Sequence, residues 1–160
     1  MTEAERAQIA GRPLLLYDGV CVLCNGLVRF LLRHDTSEAK SEAQPEAQLA
    51  DFRFAPLQSP LALELLPPSA TTALEGVVLI TDTLTPSQRL YRRSDAVAHA
   101  LQLLGSPWHR LGTLLALLPR PLREFGYTIV ARLRYRLFGR YATCPIPTPD
   151  QRSRILGVDE

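Results

Sequence analysis

Short apolar runs separated by polar, turn-forming residues predict a chain in which strands and helices alternate. Leu14–Tyr17 is a continuous apolar run, which is typical of a short buried strand. Cys24–Arg33 then carries leucines and a valine at helical spacing and predicts a helix. Residues 35–50 are rich in Ala, Glu, Ser and Gln and indicate a solvated loop or a loose helical insert. Phe52–Ala55 alternates between apolar and polar positions, which predicts a second strand.

The pattern continues with a short helix and a hairpin. The short helix has Pro60 in its first turn and should end at Pro67, because proline is tolerated only at the start of a helix. Gly76–Thr81 is the clearest strand in the sequence. A turn-rich stretch separates it from Arg89–Tyr91, which we expect to be its antiparallel partner.

The C-terminal half predicts further helices. One should cover Ala96–Leu104, with Ser94 or Asp95 as its N-cap. Residues 107–140 then predict an appendage of one or two helices that prolines interrupt. Two apolar stripes mark these helices, namely Trp108, Leu111, Leu114, Leu115 and Leu118, then Leu122, Phe125, Ile129, Val130 and Leu133.

This order of elements predicts an α/β fold of thioredoxin-like layout, a mixed sheet of about four strands flanked by helices. The first strand, its crossover helix and the second strand form a parallel unit, and the last two strands form the hairpin. We expect a single domain, in which residues 12–105 are the thioredoxin-like core, 106–140 a C-terminal helical extension and 141–160 a tail.

Composition and charge narrow the class of protein. Apolar residues make up 46% of the 160 residues, which excludes wholesale disorder. No apolar run approaches the roughly 20 residues that span a bilayer, and the polar N-terminus lacks the apolar core of a signal peptide. We therefore expect a cytoplasmic location, where thiols are mostly kept reduced.

Charge is distributed unevenly along the chain. Residues 107–160 carry 9 basic and 4 acidic side chains, whereas residues 1–106 carry 9 and 12. Such a basic tail could contact an acidic partner, nucleic acid or a membrane surface. A solvated arginine face on amphipathic helices is the simpler interpretation.

The most informative motif is a Cys-x-x-Cys pair, Cys21 and Cys24, between the first strand and the first helix. Unpaired N–H groups and the helix dipole stabilise an anion there, so the pKa of Cys21 should fall below its usual value of about 8.5. Because the intervening Val22 and Leu23 supply no cation, this shift should come mainly from the helix terminus. Cys21 would then attack a disulfide, and the less exposed Cys24 would resolve the mixed disulfide.

Asp18 precedes this pair, and two interpretations of it stay open. Its carboxylate should raise the pKa of Cys21 by like-charge repulsion. In a structural role it accepts backbone N–H bonds and shapes the Asp18-Gly19-Val20 turn. In a functional role it accepts the proton of Cys24 as that thiol attacks.

Other chemistry for the cysteines has weaker support. Haem attachment requires a histidine after the motif, where Asn25 stands. A structural zinc site requires four ligands, and Cys144 with one of His34, His99 or His109 could complete a set, although their spacing does not indicate one. Cys144 is either a lone thiol or an additional redox partner, if the tail folds back over the pair.

Three segments together resemble the DCC family of thiol–disulfide oxidoreductases, named for an Asp and two Cys. They are Tyr17–Asn25, Arg93–Ala96 at a helix start, and Tyr135–Arg140 followed by Cys144-Pro145. The resemblance covers roughly residues 12–146. It implies a thioredoxin-like fold, a redox pair of Cys21 and Cys24, and Asp18 as the third signature residue. It implies no particular substrate.

One departure from thioredoxins concerns the residues before the third strand. Thioredoxins carry a cis-proline there, facing the disulfide, whereas this chain has Ala73-Leu74-Glu75-Gly76. The nearest prolines, Pro67 and Pro68, are too far back for that position. Substrate gripping of the thioredoxin kind is therefore not expected.

The function predicted from the sequence is thiol–disulfide exchange. Cys21 is the expected nucleophile, Cys24 the resolving thiol and Asp18 a tuning or turn-shaping residue. We expect no organic cofactor, a protein or small-molecule thiol or disulfide as substrate, and no nucleic acid as partner. The alternatives are a non-catalytic interaction module that uses the basic C-terminal helices, including peripheral contact with a membrane, and a zinc-binding protein.

Overall fold

A mixed four-stranded sheet organises the protein. The computed structural model describes residues 1–35, 50–66 and 76–158. The strands are β1 (Leu14–Tyr17), β2 (Arg53–Pro56), β3 (Val78–Thr81) and β4 (Arg89–Arg92), in the order β2-β1-β3-β4. β1 is parallel to β2, and β3 is antiparallel to both β1 and β4. This arrangement confirms the predicted α/β, thioredoxin-like fold with a parallel unit and a hairpin.

Seven helices flank the sheet within the described ranges. They are α1 (Glu3–Ile9), α2 (Val22–His34), α3 (Pro60–Leu65), α4 (Arg93–Leu103), α5 (Trp108–Leu117), α6 (Arg120–Leu137) and α7 (Pro149–Arg152). The sequence pattern had indicated α2 to α6 but neither α1 nor α7. Those two are short, and α1 buries a single residue, Ile9, so neither produces a clear apolar stripe.

β1 is apolar throughout because both faces of the sheet are covered. Leu15 and Tyr17 lie on the side of α2 and α4, in the larger hydrophobic core. Leu14 and Leu16 lie on the other side, packed with α1 and α3. A strand buried on both faces has no polar side, which explains the uninterrupted run in the sequence.

The predicted N-cap of α4 is wrong. α4 begins at Arg93, and its N-cap, Arg92, makes no side-chain capping bond. Ser94 and Asp95 instead lie in the first turn and bind side chains of α6. The expected loop or insert of residues 35–50 lies, except for its two end residues, outside the described ranges, as do the prolines expected to end α3.

The tail returns to the sheet after α7 and pairs with the free edge of β2. The N–H of Phe54 donates to Arg154 O (2.8 Å), and the N–H of Leu156 donates to Phe54 O (2.8 Å). The Arg154 guanidinium binds Asp35 at the C-terminal end of α2, with 3.0 Å between Nη1 and Oδ2. Residues 154–156 are thus attached to the core by backbone bonds and by a buried ion pair.

α5 and α6 have an unusual distribution of side chains. Much of the apolar stripe predicted for α6 faces solvent: Phe125 is 66% exposed and Leu122 is 58% exposed. The inward side of α6 carries Arg123 and Arg134, which are nearly buried. No helix among the described residues combines the length and the hydropathy that crossing a bilayer requires.

Candidate active site around Cys21 and Cys24

Cys21 is the N-cap of α2, and its sulfur accepts the backbone N–H of Cys24 at 3.3 Å. The sequence prediction that the pair stands at a helix start is therefore confirmed. Asn25 holds the turn from inside the helix, because its Nδ2 donates to Gly19 O (2.8 Å) and to Cys21 O (2.9 Å). These bonds fix the orientation of the Cys21 side chain over the first turn of α2.

The environment lowers the pKa of Cys21 to about 6. The main cause is a hydrogen bond from the Cys24 thiol, followed by the Cys24 N–H and the positive charge of Arg134, while burial and Asp18 act in the opposite direction. The same thiol–thiol bond, with burial, raises the pKa of Cys24. The environment therefore favours ionisation of Cys21 and retention of the proton by Cys24.

Two expectations about this shift require correction. The helix terminus contributes through the Cys24 N–H, but the Cys24 thiol contributes more. A nearby cation does exist, since Arg134 of α6 acts on both sulfurs. Nothing in Val22-Leu23 could reveal it, because Arg134 lies more than a hundred residues along the chain.

Both sulfurs are buried, and Cys21 is not the more exposed one. Cys21 is 0% exposed and Cys24 is 5% exposed, so the predicted order of exposure is wrong. The cause is a segment that follows α6. Tyr141 N–H donates to Val20 O at 2.8 Å, and Arg140 forms an isolated antiparallel bridge with Cys21. Residues 139–144, here called the covering segment, therefore lie over the loop that carries Cys21.

Asp18 is fully buried and accepts four hydrogen bonds. Its Oδ1 accepts from Val20 N–H (3.2 Å) and from Gln58 Nε2 (2.9 Å). Its Oδ2 accepts from Arg134 Nη2 (3.3 Å) and from the Tyr135 hydroxyl. The turn-shaping bond expected from the sequence is present, and three further donors hold the carboxylate.

Tyr135 connects the charges around this carboxylate. Burial, and next the hydrogen bond to Asp18, raise its pKa, so its hydroxyl remains a donor. Its ring lies under two guanidinium groups, 4.8 Å from Arg134 Cζ and 5.6 Å from Arg140 Cζ. Tyr135 therefore positions Asp18 and Arg134 and also supports the covering segment.

The Arg93-Ser94-Asp95 sequence at the start of α4 holds α6 in place. Arg93 Nε donates to Glu124 Oε2 at 2.7 Å, and Ser94 also binds Glu124. Asp95 forms an ion pair with Arg123. These contacts set the position of α6 and so bring its C-terminal end to Asp18. The three segments that resemble the DCC family thus lie together in the folded chain.

The backbone just before β3 contacts a phenol where thioredoxins carry a proline. Val77 N–H donates to the Tyr127 hydroxyl at 3.1 Å. Gly76 has φ +113°, and a Cβ at this position would collide with that hydroxyl. Tyr127 therefore occupies the Val77 amide at the start of β3.

Cys144 is the last residue of the covering segment and lies against the same loop. An ideal Cβ on Gly19 would lie 2.8 Å from the Cys144 sulfur, so glycine permits their close approach. Burial, and next the charge of Asp18, raise the pKa of Cys144, although the Tyr17 hydroxyl acts in the opposite direction. The tail therefore folds back beside the pair, and a redox role of Cys144 stays a prediction.

The three histidines lie in contacts of other kinds. His34 packs on Phe30, with ring centroids 4.4 Å apart, and His99 stacks on Tyr91 at 3.8 Å. His109 Nδ1 is 2.6 Å from Gln102 O. Within the described ranges, no group of three or more His, Cys, Asp or Glu side chains is placed to hold a metal ion.

Sequence reasoning missed Arg134, Gln58 and the covering role of residues 139–144. One feature of the sequence could have drawn attention to Arg134. It follows Tyr127 and Ala131 at helical spacing and places a charge on the face that they share. Gln58 had none, because a single glutamine in a loop carries no pattern.

Comparison with known proteins identifies the family. Residues 15–140 match the model of DCC1-like thiol-disulfide oxidoreductases. The chain is 34% identical to the uncharacterized protein YuxK of Bacillus subtilis, over 93% of this chain and 96% of that protein. It is also 34% identical to an Arabidopsis thaliana protein named as a chloroplastic DCC family protein, over 84% of this chain and 70% of that protein. No solved structure matched the chain. The chain belongs to the DCC1-like thiol-disulfide oxidoreductase family.

Proposed function

We propose that the protein catalyses thiol–disulfide exchange through Cys21 and Cys24. The observation that carries this proposal is the N-cap position of Cys21, where the Cys24 thiol and N–H and the Arg134 charge lower its pKa to about 6. A thiolate is the nucleophile in disulfide exchange, and Cys21 holds this form at neutral pH.

In the reducing direction the Cys21 thiolate attacks a disulfide and releases one substrate thiolate. Cys24 then attacks Cys21 in the mixed disulfide and releases the second. For this order of events the covering segment must move, because Cys21 is fully buried beneath it. Asp18 acts as a positioning residue, since it holds Arg134 near both sulfurs. Reducing equivalents come from other thiols, without an organic cofactor.

The test compares reduced wild-type protein with Cys21→Ser on a small model disulfide such as hydroxyethyl disulfide. We expect Cys21→Ser to lose exchange while its thermal unfolding stays cooperative. Cys24→Ser should give one attack and then stop at the mixed disulfide. A Cys21→Ser protein that exchanges at the wild-type rate would refute the proposal.

A second candidate function is peripheral contact with an anionic membrane through α5 and α6. Exposed apolar side chains cover these helices, among them Leu117 (75%) and Phe125 (66%). Arginines surround them, and those exposed are Arg110, Arg120, Arg132, Arg136 and Arg140. Pairing this face with a second copy about a two-fold axis would bring like charges together. Apolar insertion flanked by arginines suits an anionic lipid surface better.

Co-sedimentation with phosphatidylcholine vesicles, with and without phosphatidylserine, tests this contact. We expect binding that requires the anionic lipid, weakens with salt and falls strongly in Phe125→Glu. Leu63→Glu is the matched control, because Leu63 is 58% exposed on the distant helix α3. Absence of binding at low ionic strength, or equal loss in both variants, would exclude the membrane contact.

A further inference from the structure

An apolar cavity reaches the cysteine pair from the side of α6. Its volume is about 470 Å³, within the range of small-molecule sites. Residues of α2, α4, α5 and α6 form its wall, which includes Leu23, Leu27, Val97, Leu118 and Val130. Cys24 also lies in this wall, whereas Cys21 does not.

The polar side chains of the wall already bind other groups of the protein. Ser94 binds Glu124, and Arg123 binds Asp95. Tyr127 accepts the Val77 N–H, and Arg134 donates to Asp18. The cavity therefore presents mainly hydrocarbon to a ligand. A charged ligand would lose hydration there without compensation, so the surface favours an apolar molecule.

The position of the cavity determines which sulfur such a molecule meets. Thiol–disulfide exchange depends on which sulfur can be reached, and a more acidic thiol leaves faster. Cys24 lines the cavity, whereas Cys21 does not and is fully buried. Cys21 also has the partners that stabilise a departing thiolate, namely the Cys24 N–H and the charge of Arg134.

We propose that the cavity binds an apolar thiol and directs its thiolate onto the Cys24 sulfur of the oxidised Cys21–Cys24 pair. This inference rests on the proposed exchange function and names its substrate class. The Cys21–Cys24 bond breaks, a bond from the substrate sulfur to Cys24 forms, and Cys21 leaves as the thiolate. A second substrate thiolate then attacks the bound substrate sulfur. The substrate disulfide departs, Cys24 takes up a proton from solvent, and two electrons have passed to the pair.

The first experiment is a single turnover of the oxidised protein with benzyl mercaptan or with glutathione, at equal thiolate concentrations. We expect benzyl mercaptan to reduce the pair at least about tenfold faster (about 1.4 kcal/mol). Ala131 lies in the cavity wall, so Ala131→Phe should cut the benzyl mercaptan rate by a similar factor and thereby remove most of its advantage over glutathione. The matched control is Ala116→Phe, because Ala116 is exposed on α5 outside the cavity.

A second cavity variant covers the case in which Ala131→Phe fails to fold. Val130 is 48% exposed at the cavity, and Val130→Trp should narrow the entrance with the same selective effect. Equal rates for the two thiols, or no selective loss in either folded variant, would overturn the inference and leave the exchange function standing. No reduction by either thiol would count against the exchange function itself.

The second experiment locates the adduct. Acid quenching during the benzyl mercaptan turnover preserves the mixed disulfide, and tandem mass spectrometry assigns it to one cysteine. We expect the benzyl group on Cys24. An adduct on Cys21 would overturn the proposed site of attack even if the preference for apolar thiols were present.

Discussion

Two buried aspartate–arginine pairs connect the two ends of α2 to the C-terminal part of the chain, and one of them lies beside the thiols. Asp18 and Arg134 meet at the N-terminal end of α2, with 3.3 Å between Oδ2 and Nη2. Asp35 and Arg154 meet at the other end at 3.0 Å. In both pairs the carboxylate also accepts a backbone N–H, from Val20 and from Phe52 respectively.

The two ion pairs differ in whether their charges affect the pKa of a cysteine. Arg134 lowers the pKa of Cys21, and Asp18 raises it. Asp35 and Arg154 are not among the causes of either cysteine shift. The same chemical device therefore stabilises the fold at one end of α2 and additionally sets thiol acidity at the other. Burial of an ion pair alone does not identify a functional site.

The largest expected effect comes from removing the cations. Arg134→Met and Arg154→Met each leave a buried carboxylate without its cation, which should lower the free energy of unfolding by about 3–5 kcal/mol. Only Arg134→Met should raise the pKa of Cys21. Denaturant unfolding and the pH dependence of thiolate absorbance measure the two quantities. A similar pKa change in Arg154→Met would remove the distinction between the pairs.

Removing the negative charges should reverse the sign of the effect on the thiol. Asp18→Asn should lower the pKa of Cys21 further, because Asp18 opposes its ionisation. Asp35→Asn should not change it. Each amide should cost up to about 3–5 kcal/mol of stability, since it leaves a buried guanidinium without its counter-charge. Rates of alkylation against pH give the pKa, and a rise in Asp18→Asn would contradict the assignment.

The depressed pKa of Cys21 also predicts how stability depends on pH in the reduced protein. A folded-state pKa of about 6, below the ordinary value of about 8.5, adds stability that is complete above 8.5 and lost as the pH falls through 6. Cys24, with its raised pKa, remains protonated in both states below 8.5 and loses stability only above it. The difference in unfolding free energy between wild type and Cys21→Ser should therefore increase from pH 6 to 8.5, by at most about 1.4 kcal/mol per pH unit.

This slope should shrink in Arg134→Met and persist in Arg154→Met. If the difference in unfolding free energy between wild type and Cys21→Ser did not change with pH, Cys21 would not be the thiolate of the folded protein.

The smallest expected effects come from substituting two glycines near the Asp18–Arg134 pair. Gly26→Ala should stabilise α2 by about 0.5–1 kcal/mol, because no atom beyond its chain neighbours and the adjacent helix backbone lies within 4 Å of the added Cβ. Gly19→Ala should displace the segment that carries Cys144, 2.8 Å from that Cβ. We expect faster alkylation of Cys21 in Gly19→Ala and the wild-type rate in Gly26→Ala. Equal rates would show that the covering segment does not limit access to Cys21.

Local pattern sufficed for the sheet and for the position of the cysteines. The strand at Leu14–Tyr17 and the helix α2 could be predicted because the burial pattern of each is visible within a short stretch of sequence. The partners of Asp18 could not be predicted, because Arg134 and Tyr135 join it only in the folded chain. The exposure of Phe125 was equally inaccessible, since apolar spacing identifies a face but not what covers it.

The separation of Asp18 from Arg134, 116 residues along the chain, also has a consequence during protein synthesis. A ribosome adds about 5–20 residues per second, so Cys21 and Cys24 are made on the order of ten seconds before Arg134. During that interval the nascent thiols lack the cation and the covering segment that the finished site supplies. The pKa of Cys21 therefore reaches its low value only after Arg134 has been made and the chain has folded. Before that, the nascent chain carries two thiols of more ordinary reactivity.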